Sequence, residues 1–228
     1  MAARVKSKSR EEPQPGLSYR QQQALATRRR IAAAARGVFA TEGYVGASIE
    51  TIARAAGVAT RTVYVAYGTK KNILGAVCAL WLEEAQVAEA FMRGMAEPNP
   101  PKRLAAIAEA NRRQWEKGID VIRILQSAAS ADASVERMLR GWMDDRSGGV
   151  RGVLLGAQRS FRPGMSLETA MALVRGLSVP EVYIELTGQG WSPDRYQAWL
   201  TDTLEYELLG RRPALVWLEA DGEATDGA

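Results

Sequence analysis

The sequence predicts an all-α protein, and three observations carry that reading. Apolar residues recur at three- and four-residue spacing from residue 27 to residue 209, no stretch alternates apolar and polar residues as a strand does, and glycine and proline punctuate the pattern where helices end. The punctuation separates a small three-helix unit at the N-terminus from a larger helical domain. The boundaries expected are a disordered basic tail at 1–22, the small unit at 23–70, the large domain at 71–218 and an acidic disordered tail at 219–228.

Each element follows from its own residues. Residues 1–22 are polar, carry Pro13, Pro15 and Gly16 and show no apolar period, so no helix is expected there. From Thr27, the residues Ile31, Ala34, Ala35, Val38 and Phe39 form one stripe of a first helix that Gly43 ends. Ser48 can cap a second, short helix whose inner face is Ile49, Ile52, Ala53 and Ala56, and Gly57 stops it. A third short helix covers Thr60–Tyr67, and Gly68-Thr69 interrupts before a fourth begins at Lys70. Ile73, Leu74, Val77, Cys78, Trp81, Leu82 and Ala85 trace its apolar side. It is expected to run unbroken until Pro98, Pro100 and Pro101 close it.

Beyond the prolines the period predicts helices at Leu104 to Lys117, Ile119 to about Ala131, Val135 to about Phe161, Leu167 to Gly188 and Pro193 to Leu209. Gly148, Gly149, Gly152 and Gly156 fall inside the Val135 segment. No Gly-Lys-Ser/Thr follows them, so they point to a kink or to close helix packing rather than to a phosphate loop. Pro180 predicts a kink or break near Val179. Ser192 and Pro193 mark the start of the last helix, and Gly210 and Pro213 mark its end.

Composition narrows the function. The chain contains no histidine, which removes the commonest general base and the commonest metal ligand together. Cys78, the single cysteine, has neither a second thiol nor a histidine beside it and reads as an inert packed thiol. There is no nucleophile elbow and no phosphate loop. An enzyme is therefore not expected, nor a cofactor or metal site. The longest apolar run, Ile73 to Leu82, is about half of the roughly 20 residues that cross a bilayer. The N-terminus lacks the apolar stretch of a secretory signal, so a cytoplasmic location without membrane contact is expected.

Charge is unevenly distributed. Residues 1–75 carry 13 Lys/Arg against 4 Asp/Glu, a net of +9, and the remainder carries a net of −5. A positive first third suits a polyanionic partner, although a basic face that simply faces water gives the same count. The segment TIARAAGVATRTVYVAYGTKKNIL supplies the rest of the argument. Two short helices joined by a tight glycine turn and braced by another helix form a helix-turn-helix, whose second helix can enter a DNA major groove. Ala53, Ala56 and Gly57 permit close packing of the two helices, while Thr60, Arg61, Thr62, Tyr64 and Val65 remain as outward candidates.

These residues carry a resemblance. TRRRIAAAARGVFATEGY followed by SIETIARAAGVATRTVYVAYGTKKNIL resembles the N-terminal domain of TetR-type transcriptional regulators, in order and without gaps. The run GWSPDRYQAWLTDTLEYELL looks, more loosely, like the closing helix of one TetR-type subgroup. The resemblance implies that Thr60 and Arg61 read base edges, with Thr62 and Val65 on the same approach, that Tyr64 and Lys70 contact phosphates, and that Ser48 aims the start of the second helix at a phosphate. Arg61 suits guanine, because a guanidinium can bond O6 and N7 together. Each has a plainer reading: Tyr64 as packing, Thr62 as surface, Lys70 as a solvated charge. The same holds for Arg28, Arg29, Arg30 and the tail residues Arg4, Lys6, Lys8 and Arg10, for which entry into a minor groove is the alternative. Two departures matter. Ala59 stands where the family usually has a capping serine, so Thr60 is a candidate cap, and Ala66 and Tyr67 replace a common His and Phe.

The resemblance implies that residues beyond about 76 form a C-terminal helical ligand-binding and dimerisation domain. A homodimer fits the reading of two half-sites of a double-stranded operator. Leu173, Val174, Leu177, Tyr196, Trp199, Leu200 and Leu204 are the candidate dimer face, with an internal core as the alternative. Trp115, Gln126 and Trp142 are candidates for a small-molecule effector pocket, again against plain core packing. The function expected is a DNA-binding regulator, a repressor released by its effector. The alternative, prompted by Ala59 and Ala66, is a small-molecule binding protein whose helix-turn-helix has no DNA function.

Overall fold

The computed structural model describes residues 18–213, 215, 217 and 218, and at 142–146 the backbone alone. The N-terminal unit is built by α1 (Tyr19–Gly46), α2 (Ile49–Ala56) and α3 (Thr60–Tyr67). The first of these starts well before Thr27, inside the segment expected to be a tail. Ser18 accepts from the Gln21 backbone N–H while the Gln21 side chain accepts from the Ser18 N–H, a capping box that stabilises a helix start without any apolar period. The basic residues Arg4, Lys6, Lys8 and Arg10 and the acidic tail at 219–228 lie outside the described residues. Gly43, at φ 72° and ψ 163°, bends the last turn of α1.

The fourth helix does not run unbroken to the prolines. It is broken into α4 (Lys70–Glu84) and α5 (Val87–Ala96), because Gln86 adopts a left-handed conformation at φ 53°. A non-glycine residue there carries a steric cost, and no glycine or proline marks the break in the sequence. The helices expected at Leu104 to Lys117 and Ile119 to Ala131 are one continuous element, α6 (Pro100–Ala131), whose backbone leaves the helical region only at Gly118.

The later elements keep their expected order: α7 (Ala133–Ala157), α8 (Leu167–Leu177), α9 (Pro180–Gly188) and α10 (Pro193–Leu204), continued by a π-helical turn over Glu205–Leu209. The break at Pro180 is present, and Ser192 caps α10 by accepting from the Arg195 N–H at 3.1 Å. The glycines of α7 serve close packing. A Cβ at Gly149 would fall 2.7 Å from the Phe91 ring, and one at Gly152 2.5 Å from Met95 Sδ, so α5 can lie directly on α7. Among the described residues there is no strand, and no helix is long and apolar enough to cross a membrane.

α6 is the spine. It packs against α1, α4, α5, α7, α9 and α10. One continuous apolar core links the two domains, from Ile31 and Phe39 in α1 through Trp81 in α4 to Leu125 in α6 and Leu200 in α10. Cys78 is fully buried in that core, and burial pushes its thiol up, which leaves it protonated and unreactive. The bend in α6 has a visible cause. The Trp81 ring lies against Gly118, its Nε1–H donates to the Gln114 carbonyl at 2.9 Å, and a Cβ at position 118 would sit 1.9 Å from Nε1. Gly118→Ala therefore overpacks the junction. We expect a loss of about 1–3 kcal/mol, read as a fall of several degrees in thermal unfolding followed by circular dichroism; unchanged stability would contradict this packing.

Candidate nucleic-acid interface

The helix-turn-helix is held by local hydrogen bonds and a small core. Ser48 caps α2, its Oγ accepting from the Thr51 N–H at 2.9 Å. Gly57 takes the left-handed conformation, φ 63° and ψ 41°, that ends α2, and the Val58 N–H donates to the Ala53 carbonyl at 3.0 Å. This is the turn in which glycine is cheapest. Ile52, Ala53 and Ala56 of α2, Val63 of α3 and Phe39 of α1 are buried together. With Val63 inward, the opposite side of α3 faces solvent: Arg61 is exposed, Tyr64 is 49% and Val65 77% exposed.

Thr60 and Thr62 are half-buried. Ala59 occupies the N-cap of α3 and offers no side-chain bond, and Thr60 sits at the first helical position rather than capping. The expectation that Thr60 caps in place of the missing serine is thus corrected. Its hydroxyl is free of that duty. Lys70 is tied into the fold: its ammonium donates to the Val45 and Ala47 carbonyls at 3.1 and 3.0 Å and lies 4.8 Å from the Tyr44 ring centre. It pins the start of α4 to the end of α1 and to Ala47, beside the Ser48 cap.

Sequence reasoning passed over the contacts that hold α3 against α1. Tyr67 donates its hydroxyl to the Arg28 carbonyl at 2.9 Å, and the Arg28 guanidinium lies 6.0 Å from its ring. The departure from Phe at this position was the available signal, since the added hydroxyl is what makes the bond. Of the neighbouring arginines, Arg29 pairs with Glu83 of α4, while Arg30 stays exposed.

A second missed residue joins the two domains. Arg36 of α1 grips Asp120 of α6 with Nε and Nη2, both at 2.6 Å, and Nη2 also donates to the Lys117 carbonyl at 2.7 Å. Glu84 of α4 lies 3.6 Å from Nη1. The fork thus spans three helices beside the Gly118 bend, with the bidentate geometry that suits an arginine and a carboxylate. The hydrogen bond from Arg36 and its positive charge hold the Asp120 carboxyl below the usual carboxylate range.

Trp115 and Gln126 of the large domain are not brought together. Trp115 is buried in the core, its ring centre 6.3 Å from that of Trp81. Gln126 is exposed, donating to Glu181 at 3.2 Å, and the Trp142 side chain lies outside the described residues. Two surface grooves, of about 210 and 200 Å³, are lined by polar residues including Arg112 and Glu109 and by none of these three. Of the dimer candidates, Val174, Tyr196, Leu200 and Leu204 are at most 1% exposed within the single chain. They belong to its own core, where Tyr196 meets Tyr183 edge-on at 5.0 Å. Leu173, Leu177 and Trp199 are half-buried.

Comparison with known proteins places this geometry. Residues 31–77 match the family model described as bacterial regulatory proteins, tetR family. No curated protein matches the sequence significantly. Among solved structures, a putative fatty acid metabolism regulator of Clostridium perfringens has a TM-score of 0.64 at 20% identity, covering 78% of this chain and 97% of its own. The transcriptional regulator FadR of Bacillus subtilis, in complex with stearoyl-CoA, has a TM-score of 0.64 at 17% identity, with coverage of 78% and 97%. NalD of Pseudomonas aeruginosa, the secondary repressor of the MexAB-OprM multidrug efflux pump, has a TM-score of 0.62 at 20% identity, with coverage of 82% and 98%. At these identities the likeness is one of fold. The chain thus has an N-terminal TetR-type DNA-binding domain followed by a helical C-terminal domain.

The Arg36–Asp120 pair yields a pH prediction. Because Asp120 titrates lower in the folded chain than when unfolded, its contribution is fully present above the ordinary carboxylate range. It is lost as pH falls through the folded value. Asp120→Asn removes that contribution at both ends of the range. Urea unfolding at pH 5 and pH 3 should show a smaller acid loss of stability in Asp120→Asn than in the parent; equal losses would contradict the pairing.

Proposed function

From a TetR-type DNA-binding domain fused to a helical domain, we propose that the protein is a dimeric, sequence-specific transcriptional regulator, a repressor that a small-molecule effector releases from its double-stranded operator. The observation that carries the reading is the outer side of α3. Arg61, Tyr64 and Val65 face solvent on a helix short enough to enter a major groove, in the basic third of the chain. Arg61 reads guanine; Thr60 and Thr62 flank it; Tyr64 contacts a phosphate. Lys70, already held on two carbonyls, and the N-terminus of α2 at Ser48 present a positive end to the backbone.

One α3 reads too few base pairs for an operator, so two copies act together. In this reading the dimer face comes from the half-buried Leu173, Leu177 and Trp199, since the deeper residues of the same stripes are used within the chain. The DNA-binding unit ends near residue 70, and α4 belongs mechanically to both domains. A ligand that favours one setting of α4 over another shifts operator affinity by its differential binding to the two states. The work is that of a cytoplasmic binding protein, with no cofactor and no catalysis.

A second reading rests on one observation. With Ala59 at its N-cap, α3 has no side-chain cap, which fits a helix-turn-helix without a DNA role in a protein that only binds a small molecule. Fluorescence anisotropy with a selected operator separates the two. Arg61→Ala should weaken binding by about 1–3 kcal/mol and relax specificity at one base pair in each half-site. Absence of DNA binding by the parent at low salt would favour the second reading.

A further inference from the structure

Among the described residues, the inward side of α6 carries buried polar groups without a partner. Arg103, Asn111 and Gln114 are 9%, 0% and 5% exposed. The Arg103 guanidinium reaches the Val153 carbonyl at 3.4 Å, and its Nε has no partner. Both amide atoms of the Asn111 side chain and Oε1 of Gln114 are also without one. At 100° per residue the three lie within an arc of about 80° and along roughly 16 Å of helix axis. That arc falls between the face of α6 that meets α7, where Arg103 lies over Gly156, and the face that meets α10, where Arg112 donates to Gln197 at 2.7 Å.

Buried polar side chains are almost always satisfied, and a buried guanidinium cannot shed its proton. The carboxylate of Glu109 lies on another side of α6 and is held by Arg93 and Arg113, at 2.8 and 2.7 Å. The helix opposite is shaped for the guanidinium, since a Cβ at Gly156 would fall 2.0 Å from Nη1. Leu104, Ile107, Val153 and Leu154 supply apolar surroundings. A cation at one end of an apolar seam, with amides about 12 Å further along the axis, matches a particular ligand chemistry.

We propose that this seam binds an elongated apolar carboxylic acid carrying a hydroxyl or carbonyl group toward its far end. The carboxylate pairs with Arg103, and the second polar group meets Asn111 and Gln114. The seam is closed between α5 and α7 by Met95 over Gly152 and Phe91 over Gly149, so the ligand enters by displacing these two side chains. Calling such a molecule the effector rests on the regulator reading above; that the seam binds it does not. Ligand contact with Gln114 would reach α4 directly, because the Gln114 carbonyl holds Trp81.

Titration calorimetry of the full chain with ω-hydroxydodecanoic acid, dodecanoic acid and dodecanol tests the proposal. The hydroxy acid should bind tightest, and both acids at least about tenfold tighter than the alcohol. Arg103→Gln should erase the preference for acids, leave dodecanol binding unchanged and not lower the melting temperature of the ligand-free protein. Asn111→Leu should remove the advantage of the hydroxy acid over dodecanoic acid, which keeps the test decisive if the first variant does not fold. Equal binding of acid and alcohol, no binding of either acid, or an acid preference that survives Arg103→Gln overturns the proposal. The titration contains no DNA. Acid binding by a protein that ignores DNA upholds the seam and contradicts the regulator, whereas operator binding without acid binding overturns the seam alone.

Discussion

The contact between the Trp81 indole and Gly118 sets the arrangement of the molecule. It brings α4 so close to α6 that no side chain fits at position 118, where α6 bends, and the Gln114 carbonyl accepts from the ring N–H. Dense packing makes such a junction intolerant of small changes. The bend also turns the Lys117 carbonyl and Asp120 toward α1, where the Arg36 fork takes both. An apolar wedge thus fixes α4 on α6, and a charged clasp fixes α1 of the small domain on the same stretch of α6.

The joint has a consequence for function. α4 begins at the DNA-binding unit, where Lys70 holds the loop before α2, and ends against Gln114 and Gly118 of the large domain. A rigid element of that kind carries a small shift at one end to the other, which is what coupling between two sites needs. The buried polar seam of Arg103, Asn111 and Gln114 lies on the same stretch of α6. In the proposed function, the coupling between operator and ligand runs through this helix pair.

Much of the small domain was legible in the sequence because its signals are local. Ser48, Gly57 and Gly68 mark ends with residues whose backbone and side-chain chemistry leave few alternatives, and the stripe of Ile31, Val38 and Phe39 names its own buried side. The larger domain is held by partners far apart in the chain. The left-handed turn at Gln86 carries no local mark, and Gly118 reads as a helix end until Trp81 is seen to occupy its Cβ position. Periodicity finds a buried side without saying what covers it, which is why Val174, Tyr196, Leu200 and Leu204 read as a dimer face and prove to be core. Trp115 and Gln126 part for a related reason: aromatic surface and an amide in apolar helices suit a pocket in the sequence, while in three dimensions one is buried and the other lies on the surface. The polar residues that are both buried and unpaired, such as Asn111, look in the sequence like ordinary surface positions of a helix.

Selection of bound duplexes from a random pool by the purified full chain tests the central claim most directly. A dimer that presents two α3 helices predicts enrichment of a two-fold symmetric motif with half-sites about 34 Å, or a multiple-turn spacing, apart. Its affinity should fall linearly with the logarithm of salt concentration. Recovery of unenriched sequence, or of no DNA at low salt, contradicts the account.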